Sequence, residues 1–368
     1  MRLGLLLIGM LAFSDPQAYA RASTLLYSVA GSPAAAPRVK VSTLAGVAGQ
    51  PGAQDGPRAT TRLDDPHGVA IAADGTVYVS EAGNQMLRKI TPAGVVSRLA
   101  GLPKQTGGAD GAGDLARFNL PNSLAIDGHG NLFVADLGNH TIRKITAKGV
   151  VTTLAGKPGV PGDADGYGPQ ARFSRPHGIA VGTDGTIYVA DAFNHTIRKI
   201  TLGGIVSTVA GKAMAPGAVN GRGAEARFFM PYAITVDRHD NLYVVERGNN
   251  TLRKITPDGT VTTLAGQFNV AGHKDGPGSE ATFSSPRGIA IDTSGNLYVA
   301  DYDSCLIRRV SSDGFVTTLA GKADTPGGAD GPGDVARFNG PHGIALDAKG
   351  RIFVADSDNH TIRVLTLE

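Results

Sequence analysis

The sequence predicts an all-β fold, a six-bladed β-propeller whose blades are four-stranded antiparallel sheets. Three observations lead to this prediction. The chain repeats at a constant length, each repeat contains four short β-type runs, and the run missing from the last repeat is present near the start of the chain.

The repeat length is 55 residues and no insertion or deletion interrupts it. A glycine, a proline and an arginine mark each copy, and the copies lie near 63–93, 118–148, 173–203, 228–258, 283–313 and 338–366. The marker residues are Gly46, Gly101, Gly156, Gly211, Gly266 and Gly321; Pro66, Pro121, Pro176, Pro231, Pro286 and Pro341; and Arg88, Arg143, Arg198, Arg253, Arg308 and Arg363. Self-similarity at such a period is typical of a repeat architecture.

Each repeat contains four runs of β-type composition. In the second copy they are 123–127, 132–136, 141–146 and 150–155, rich in Val, Ile and Thr and separated by glycine-containing turns. Such runs indicate antiparallel strands. An isolated sheet of this size would expose an apolar face, so the repeats must stack on one another.

The two ends of the chain indicate that the stack closes into a ring. The last repeat ends at Glu368, after its third run, and the segment 41–46 supplies the fourth run. Pairing of these two segments completes the sixth blade and protects its free edge.

The first twenty residues have the pattern of a secretory signal peptide. Arg2 precedes an apolar run from Leu3 to Phe13, and Ala18-Tyr19-Ala20 is a cleavage signature. The run is too short for a membrane anchor, which needs about 20 residues. We therefore expect a signal peptide at 1–20, a linker at 21–40 and a propeller at 41–368, in a periplasmic or secreted protein without a membrane span.

The repeat resembles the NHL repeat, especially in its bacterial exported form. The resemblance lies in Pro176–Val181, Gly185–Asp191 and Asn194–Ile200, and in the D-G-x-G-x-x-A-R-F linker between copies. It implies a six-bladed propeller but leaves function open. NHL propellers include protein-binding and RNA-binding modules, and metal-dependent lyases and lactonases share the architecture.

The strand order assigns the loops to two faces. The connections from the fourth strand to the next blade and from the second to the third strand share one face, called the first face below. The opposite, second face consists of tight turns such as Asp184-Gly185, where we expect no function. Loops on a rigid scaffold are the usual place for ligand sites, so we place the candidate site on the first face.

Two sets of repeated residues suggest metal binding, and each has a simpler interpretation. Six acidic residues end the second strands, and they form either a cation-binding ring or the caps of their own corners, each paired with the arginine seven residues later. His67, His177 and His342 begin inner strands, and they form either an open zinc site or local turn contacts. We favour the structural interpretation of both sets and expect no cofactor, with zinc or calcium at the channel mouth as the alternative. The acidic residues are Glu81, Asp136, Asp191, Glu246, Asp301 and Asp356.

The places where one repeat departs from the others are the best indicators of a ligand site. Blade 2 has Asn122 where others have histidine, blade 4 has Tyr232 and Arg247, and blade 5 has Arg287 and Tyr302. Tyrosine and arginine are favoured at protein interfaces. The candidate ligand-binding residues are His67, Asn122, His177, Tyr232, Arg247, Arg287, Tyr302 and His342.

The sequence favours an exported, non-catalytic binding scaffold that acts as a monomer and recognises a protein or an envelope component. The alternative is a metal-dependent lyase or a lactonase-like hydrolase acting at the channel mouth. No serine-hydrolase elbow, nucleotide-phosphate loop or H-E-x-x-H motif is present. The net charge of +3 and the predicted export disfavour a nucleic-acid partner.

Overall fold

The computed structural model describes residues 37–368, so the predicted signal peptide and most of the predicted linker lie outside the described residues. The strands of the first half are β1 (Val39–Ala45); β2 (Gly56–Pro57), β3 (Pro66–Ile71), β4 (Val77–Glu81), β5 (Met86–Ile90) and β6 (Val95–Ala100) in blade 1; β7 (Gly111–Ala112), β8 (Pro121–Ile126), β9 (Leu132–Asp136), β10 (Thr141–Ile145) and β11 (Val150–Gly156) in blade 2; and β12 (Gly166–Tyr167), β13 (Pro176–Val181), β14 (Ile187–Asp191), β15 (Thr196–Ile200) and β16 (Ile205–Gly211) in blade 3.

The second half repeats this order. Its strands are β17 (Gly221–Arg222), β18 (Pro231–Val236), β19 (Leu242–Glu246), β20 (Thr251–Ile255) and β21 (Thr260–Ala265) in blade 4; β22 (Pro286–Ile291), β23 (Leu297–Asp301), β24 (Leu306–Val310) and β25 (Val316–Gly321) in blade 5; and β26 (Gly331–Pro332), β27 (Pro341–Leu346), β28 (Ile352–Asp356) and β29 (Thr361–Leu367) in blade 6. Single 3-10 turns occupy Gly113–Leu115, Leu137–Asn139, Gly168–Gln170, Ala192–Asn194, Gly223–Glu225 and Ser357–Asn359.

The fold is the predicted six-bladed propeller of antiparallel blades. Blades 1 to 5 have their four strands in sequence order, blade 6 takes β1 as its fourth strand, and five of the six sheets gain a further, two-residue strand at the outer edge. In blade 5, Gly276 makes only an isolated bridge to Val316 there. These edge strands, which were not predicted, cover the outer hydrogen-bonding edge of each blade.

The ring closes as predicted, through pairing of the first described strand with the last. In this antiparallel pair, Val39 lies opposite Leu367 and Val41 opposite Leu365. The strand begins at Val39, two residues before the predicted boundary, because Val39 is buried in the seam between blades 5 and 6.

Aromatic side chains fill the seams between blades. Phe118, for example, is fully buried and joins Leu87 of blade 1 to Val134 of blade 2. The equivalent residues are Phe173, Phe228, Phe283 and Phe338, and Leu63 takes this position in blade 1. Burial of one such ring contributes about 1.5–3 kcal/mol.

A buried ion pair fixes the corner between the second and third strands of every blade. In blade 2, Asp136 accepts hydrogen bonds from the backbone N–H of Asn119 at 2.8 Å, from Asn139 at 2.7 Å and from Arg143 at 2.7 Å. Burial raises the pKa of Asp136 to about 6, although Arg143 and these hydrogen bonds favour its ionised form. The predicted pairing with the arginine seven residues later is confirmed in all six blades.

Candidate ligand site at the channel mouth

The second residue of each inner strand lies at the first-face end of the central channel. The inner strands β3, β8, β13, β18, β22 and β27 surround a cavity of about 320 Å³. Six residues at this position form what we call the mouth ring, and it contains six of the eight predicted candidates. They are His67, Asn122, His177, Tyr232, Arg287 and His342.

Aromatic rings of the mouth ring pack against one another. His67 and His342 stack with ring centroids 4.1 Å apart, and His177 and Tyr232 stack at 3.8 Å. The Tyr232 hydroxyl lies 3.4 Å from Nε2 of His342 and joins the two stacks. Blades 3 and 6, which lie opposite each other in the ring, are thus connected through the long side chain of Tyr232 in blade 4.

The polar atoms of blades 1 and 2 continue this packing. The Asn122 amide nitrogen lies 3.0 Å from Nδ1 of His67, and Nε2 of His67 lies 3.1 Å from an Asp65 carboxylate oxygen. Burial opposes ionisation of Asp65, but its hydrogen bond and attraction to His67 bring its pKa below the usual value. The mouth ring is therefore a connected layer of side chains.

Two histidines of this layer are held in their neutral form. Burial lowers the pKa of His177 and of His342 well below the usual value, and positive charges at the mouth lower it further. Nδ1 of His177 has no hydrogen-bond partner in the described part of the chain. At neutral pH these two rings therefore offer neutral donor and acceptor atoms.

The predicted cluster of blade 4 and blade 5 residues is present. The Arg287 guanidinium stacks on Tyr302, 3.2 Å from the ring centroid, and lies 5.7 Å from the centroid of Tyr232. Arg247 lies 5.8 Å from the same Tyr232 ring. The Tyr302 hydroxyl donates to Asp358 at 2.9 Å. Tyr232 itself is only 6% exposed, so it supports the cluster from beneath, whereas Arg247 is exposed.

Three histidines, at the corners between the second and third strands of blades 2, 3 and 6, position the backbone of the next blade. Nδ1 of His140 accepts a hydrogen bond from the backbone N–H of Arg175 in the next blade at 3.0 Å. Arg175 has a positive φ of 48°, as do the equivalent residues of the other blades, so this contact holds a left-handed residue in place. His195 and His360 make the same contact to Met230 and Asp65.

Three side chains at the rim were not among the candidate ligand-binding residues. Arg175, which precedes the inner strand of blade 3, is exposed and lies over the ring of Phe193 at 5.0 Å. Phe229 packs edge-on to His195 at 5.7 Å, and it is 36% exposed. The signal was available, because these positions also differ from blade to blade.

The geometry of the mouth does not match the three-histidine zinc arrangement. His67 and His342 are parallel within 5°, so their nitrogen lone pairs lie in separate planes. His177 stacks on Tyr232 rather than facing the other two histidines. Among residues 37–368, no group of three or more His, Cys, Asp or Glu side chains is placed to hold a metal ion.

A larger cavity lies on the second face. It measures about 630 Å³ and lies between the turns of blades 2 and 3, with Phe133, Leu154 and Leu202 in its lining. Its polar residues, such as Asp127, hold their own turns through local hydrogen bonds. We therefore centre the candidate site on the smaller channel mouth, where polar atoms lack such partners.

The described residues form a six-bladed β-propeller with an asymmetric mouth, and none of their helices is long and apolar enough to cross a bilayer. This propeller contains NHL repeats. The NHL repeat model matches residues 118–145, 173–200 and 338–365, and the teneurin NHL domain model matches 270–332.

Curated relatives match most of the chain but are much longer. NHL repeat-containing protein 2 of Bos taurus is 32% identical over 67% of this chain, which spans 38% of that relative. Teneurin-3 of Mus musculus is 26% identical over 83% of this chain, which spans 12% of that relative.

Solved structures share the fold at low sequence identity. A protein of unknown function from Bacteroides thetaiotaomicron has a TM-score of 0.70 and 22% identity, covering 90% of this chain and 76% of its own. An auxiliary nutrient binding protein from the same organism has a TM-score of 0.69 and 16% identity, covering 90% and 77%. Virginiamycin B lyase from Staphylococcus aureus has a TM-score of 0.55 and 18% identity, covering 90% and 100%.

Proposed function

We propose that this protein is an exported, monomeric, non-catalytic binding scaffold that captures a protein or envelope component on the first face of its propeller. The observation that carries the proposal is the asymmetry of the mouth ring. Six equivalent positions hold histidine, asparagine, tyrosine and arginine, whereas six equivalent corner positions all hold an acid paired with an arginine. A single ligand on the axis of a ring needs such differences between blades.

Two further observations support a binding role. The rim presents arginine and aromatic side chains, which dominate the energetics of protein interfaces. The auxiliary nutrient binding protein from Bacteroides thetaiotaomicron has this fold, and its name describes binding. The export part of the proposal rests on the signal-like sequence of residues 1–20, outside the described residues.

The enzyme alternative receives less support from the site. A metal-dependent lyase needs ligands that converge on one ion, and the mouth histidines stack in pairs instead. We therefore propose that the protein works without a cofactor. Mass spectrometry of untagged protein after dialysis against zinc or calcium tests this part: retention of about one equivalent of either metal would contradict it.

The binding proposal is tested by capture from envelope extract followed by direct measurement. A captured partner is purified, and its affinity is determined for wild type, Arg287→Ala and Tyr302→Ala. We expect each substitution to weaken binding at least about tenfold. Arg238→Ala is the matched control, since Arg238 is exposed on the second face. A partner that binds all four proteins equally would overturn the proposed face.

Tyr232 needs a different substitution. It is nearly fully buried and contacts His177 and His342, so alanine would leave a cavity and disturb folding. Tyr232→Phe retains the ring and removes only the hydroxyl.

A further inference from the structure

Three arginines at the mouth have no acidic partner in the described part of the chain. Arg175, Arg247 and Arg287 have no carboxylate oxygen within 4.0 Å among residues 37–368. By contrast, the corner arginines, such as Arg308, each pair with a buried acid. Within residues 37–368, the Arg247 guanidinium donates only to the Ser285 hydroxyl at 3.2 Å, and Nε of Arg287 is buried without a hydrogen-bond partner.

Two of these guanidinium groups flank one point of the mouth, and Arg175 lies on the neighbouring blade over Phe193. Arg247 and Arg287 both lie within 6 Å of the Tyr232 ring centroid, at 5.8 and 5.7 Å. Tyr232 stacks on His177, which follows Arg175 by two residues. Burial and His67 contribute most to the lowered pKa of His177, and Arg287, Arg247 and Arg175 follow, in that order.

Three acidic groups near the mouth are engaged elsewhere, and Asp303 at the corner of blade 5 is exposed. Asp65 pairs with His67, and Asp358 accepts from the Tyr302 hydroxyl. Asp64 pairs with Lys104. The centre formed by blades 3 to 5 therefore has an excess of positive charge, although the chain as a whole carries only +3.

An apolar surface adjoins this charge. Phe193 beneath Arg175 is 40% exposed, and Phe229 in the next blade is 36% exposed. Planar guanidinium groups bind carboxylates through paired hydrogen bonds, and exposed aromatic rings accept apolar side chains. The combination fits an acidic polypeptide segment with an apolar residue near its carboxylate.

We propose that the channel mouth recognises a carboxylate of an acidic polypeptide, held by Arg175, Arg247 and Arg287 and packed beside Phe193 and Phe229. This deepens the function proposed above and rests on it for the identity of the site. The stacked histidines and Tyr232 form the floor on which the carboxylate lies. Nδ1 of His177 and Nε of Arg287, both in the mouth ring, are buried and have no hydrogen-bond partner among residues 37–368.

The test uses two fluorescent probes, a hexaglutamate peptide and its hexaglutamine twin, measured by anisotropy at low ionic strength. We expect the acidic peptide to bind, the amide peptide to bind at least about tenfold more weakly, and binding of the acidic peptide to weaken with salt. Arg175→Met, Arg247→Met and Arg287→Met are each expected to lose about tenfold in affinity. Arg238→Met is the control that retains wild-type affinity.

Each outcome decides the proposal. Equal binding of both peptides, absence of binding, or full retention of affinity in the triple methionine variant overturns it. An oligothymidylate of six nucleotides serves as a rival probe, and tighter mouth-dependent binding of it than of hexaglutamate overturns the choice of a polypeptide. Circular dichroism verifies that the variants fold, and the exposed Arg175 variant keeps the test decisive if Arg287→Met does not fold.

Failure of this inference differs from failure of the proposed function. If a captured envelope partner retains its affinity for the triple methionine variant, the scaffold function stands and the carboxylate site is wrong. If hexaglutamate binds in an arginine-dependent way and no partner is captured, the site stands and the scaffold function is wrong.

Discussion

The corners and the mouth ring of this propeller are neighbours in every blade, because the proline before each mouth-ring residue pairs with the corner acid, yet they have opposite patterns. At the corners, each blade pairs a buried aspartate or glutamate with an arginine, and the acid accepts the same backbone hydrogen bond. At the mouth ring, neighbouring blades use different side chains that contact one another. A task that every blade must perform alone repeats with the blade, whereas a task that the blades share on the axis does not.

Stability should depend most strongly on ring closure, which the pairing of β1 with β29 provides. Val41 is fully buried in the strand that completes blade 6, and Val41→Asp places an unpaired charge there. We expect a loss of about 4 kcal/mol or more, visible as a large fall in denaturation midpoint. Lys40→Ala, at an exposed position of the same strand, is the control. Wild-type stability of the Val41 variant would show that the seam does not hold the ring.

The next largest loss of stability should follow from breaking a corner ion pair. Arg143→Met leaves Asp136 buried without its counter-ion, so we expect a loss of about 3–5 kcal/mol in urea denaturation. Arg98→Met removes an exposed ion pair to Asp114 and should cost about 1 kcal/mol or less. Similar losses in the two variants would mean that burial does not set the importance of these pairs.

The mouth should make stability depend on pH. His342 has a depressed pKa in the folded protein, so below about pH 6.5 the unfolded chain binds a proton that the folded protein does not. Its contribution is therefore complete above that pH and declines as pH falls, by about 1.4 kcal/mol per unit. The groups facing it are His67, Tyr232, Tyr302 and Arg287.

Comparison with His342→Gln isolates this effect from the other titrating groups. Denaturation from pH 7.5 to 5 should show the wild type losing stability relative to the variant as the pH falls. His273→Gln, at an exposed histidine, should follow the wild-type profile. A constant difference between wild type and His342→Gln would contradict a buried neutral ring.

Substitutions on the second face should have the smallest effect on stability and on partner binding. Leu202 is 83% exposed beside the larger cavity, so Leu202→Ser should change stability by about 0.5 kcal/mol or less and leave partner affinity unchanged. Calorimetry and the affinity measurement check both. Loss of partner binding in this variant would move the site to the cavity between blades 2 and 3.

The sequence predicted the blades well because their register is constant and each strand carries its own hydrophobic pattern. It did not predict the outer strands such as Gly111–Ala112, since two residues carry no periodic signal. It also placed the boundary of the first strand two residues late, at Val41 instead of Val39.

The sequence predicted which residues form the candidate site better than it predicted the contacts between them. Comparison of equivalent positions found Tyr232, Arg247, Arg287 and Tyr302, and the structure brings them together. The sequence could not show that Tyr232 connects the histidines of blades 3 and 6, because that contact depends on side-chain length across the channel. Arg175 was missed because its place at the rim depends on a left-handed backbone conformation that the sequence alone does not show.

Two arginines of blade 5 provide the most direct test that the corner is structural and the mouth is free for a ligand. Arg308 pairs with the buried Asp301, whereas Arg287 stacks on Tyr302 at the mouth without an acidic partner within residues 37–368. The measurement is equilibrium unfolding of Arg308→Met and Arg287→Met. We predict losses of about 3–5 kcal/mol for the first and about 1 kcal/mol or less for the second. Equal losses would contradict the division between corner and mouth.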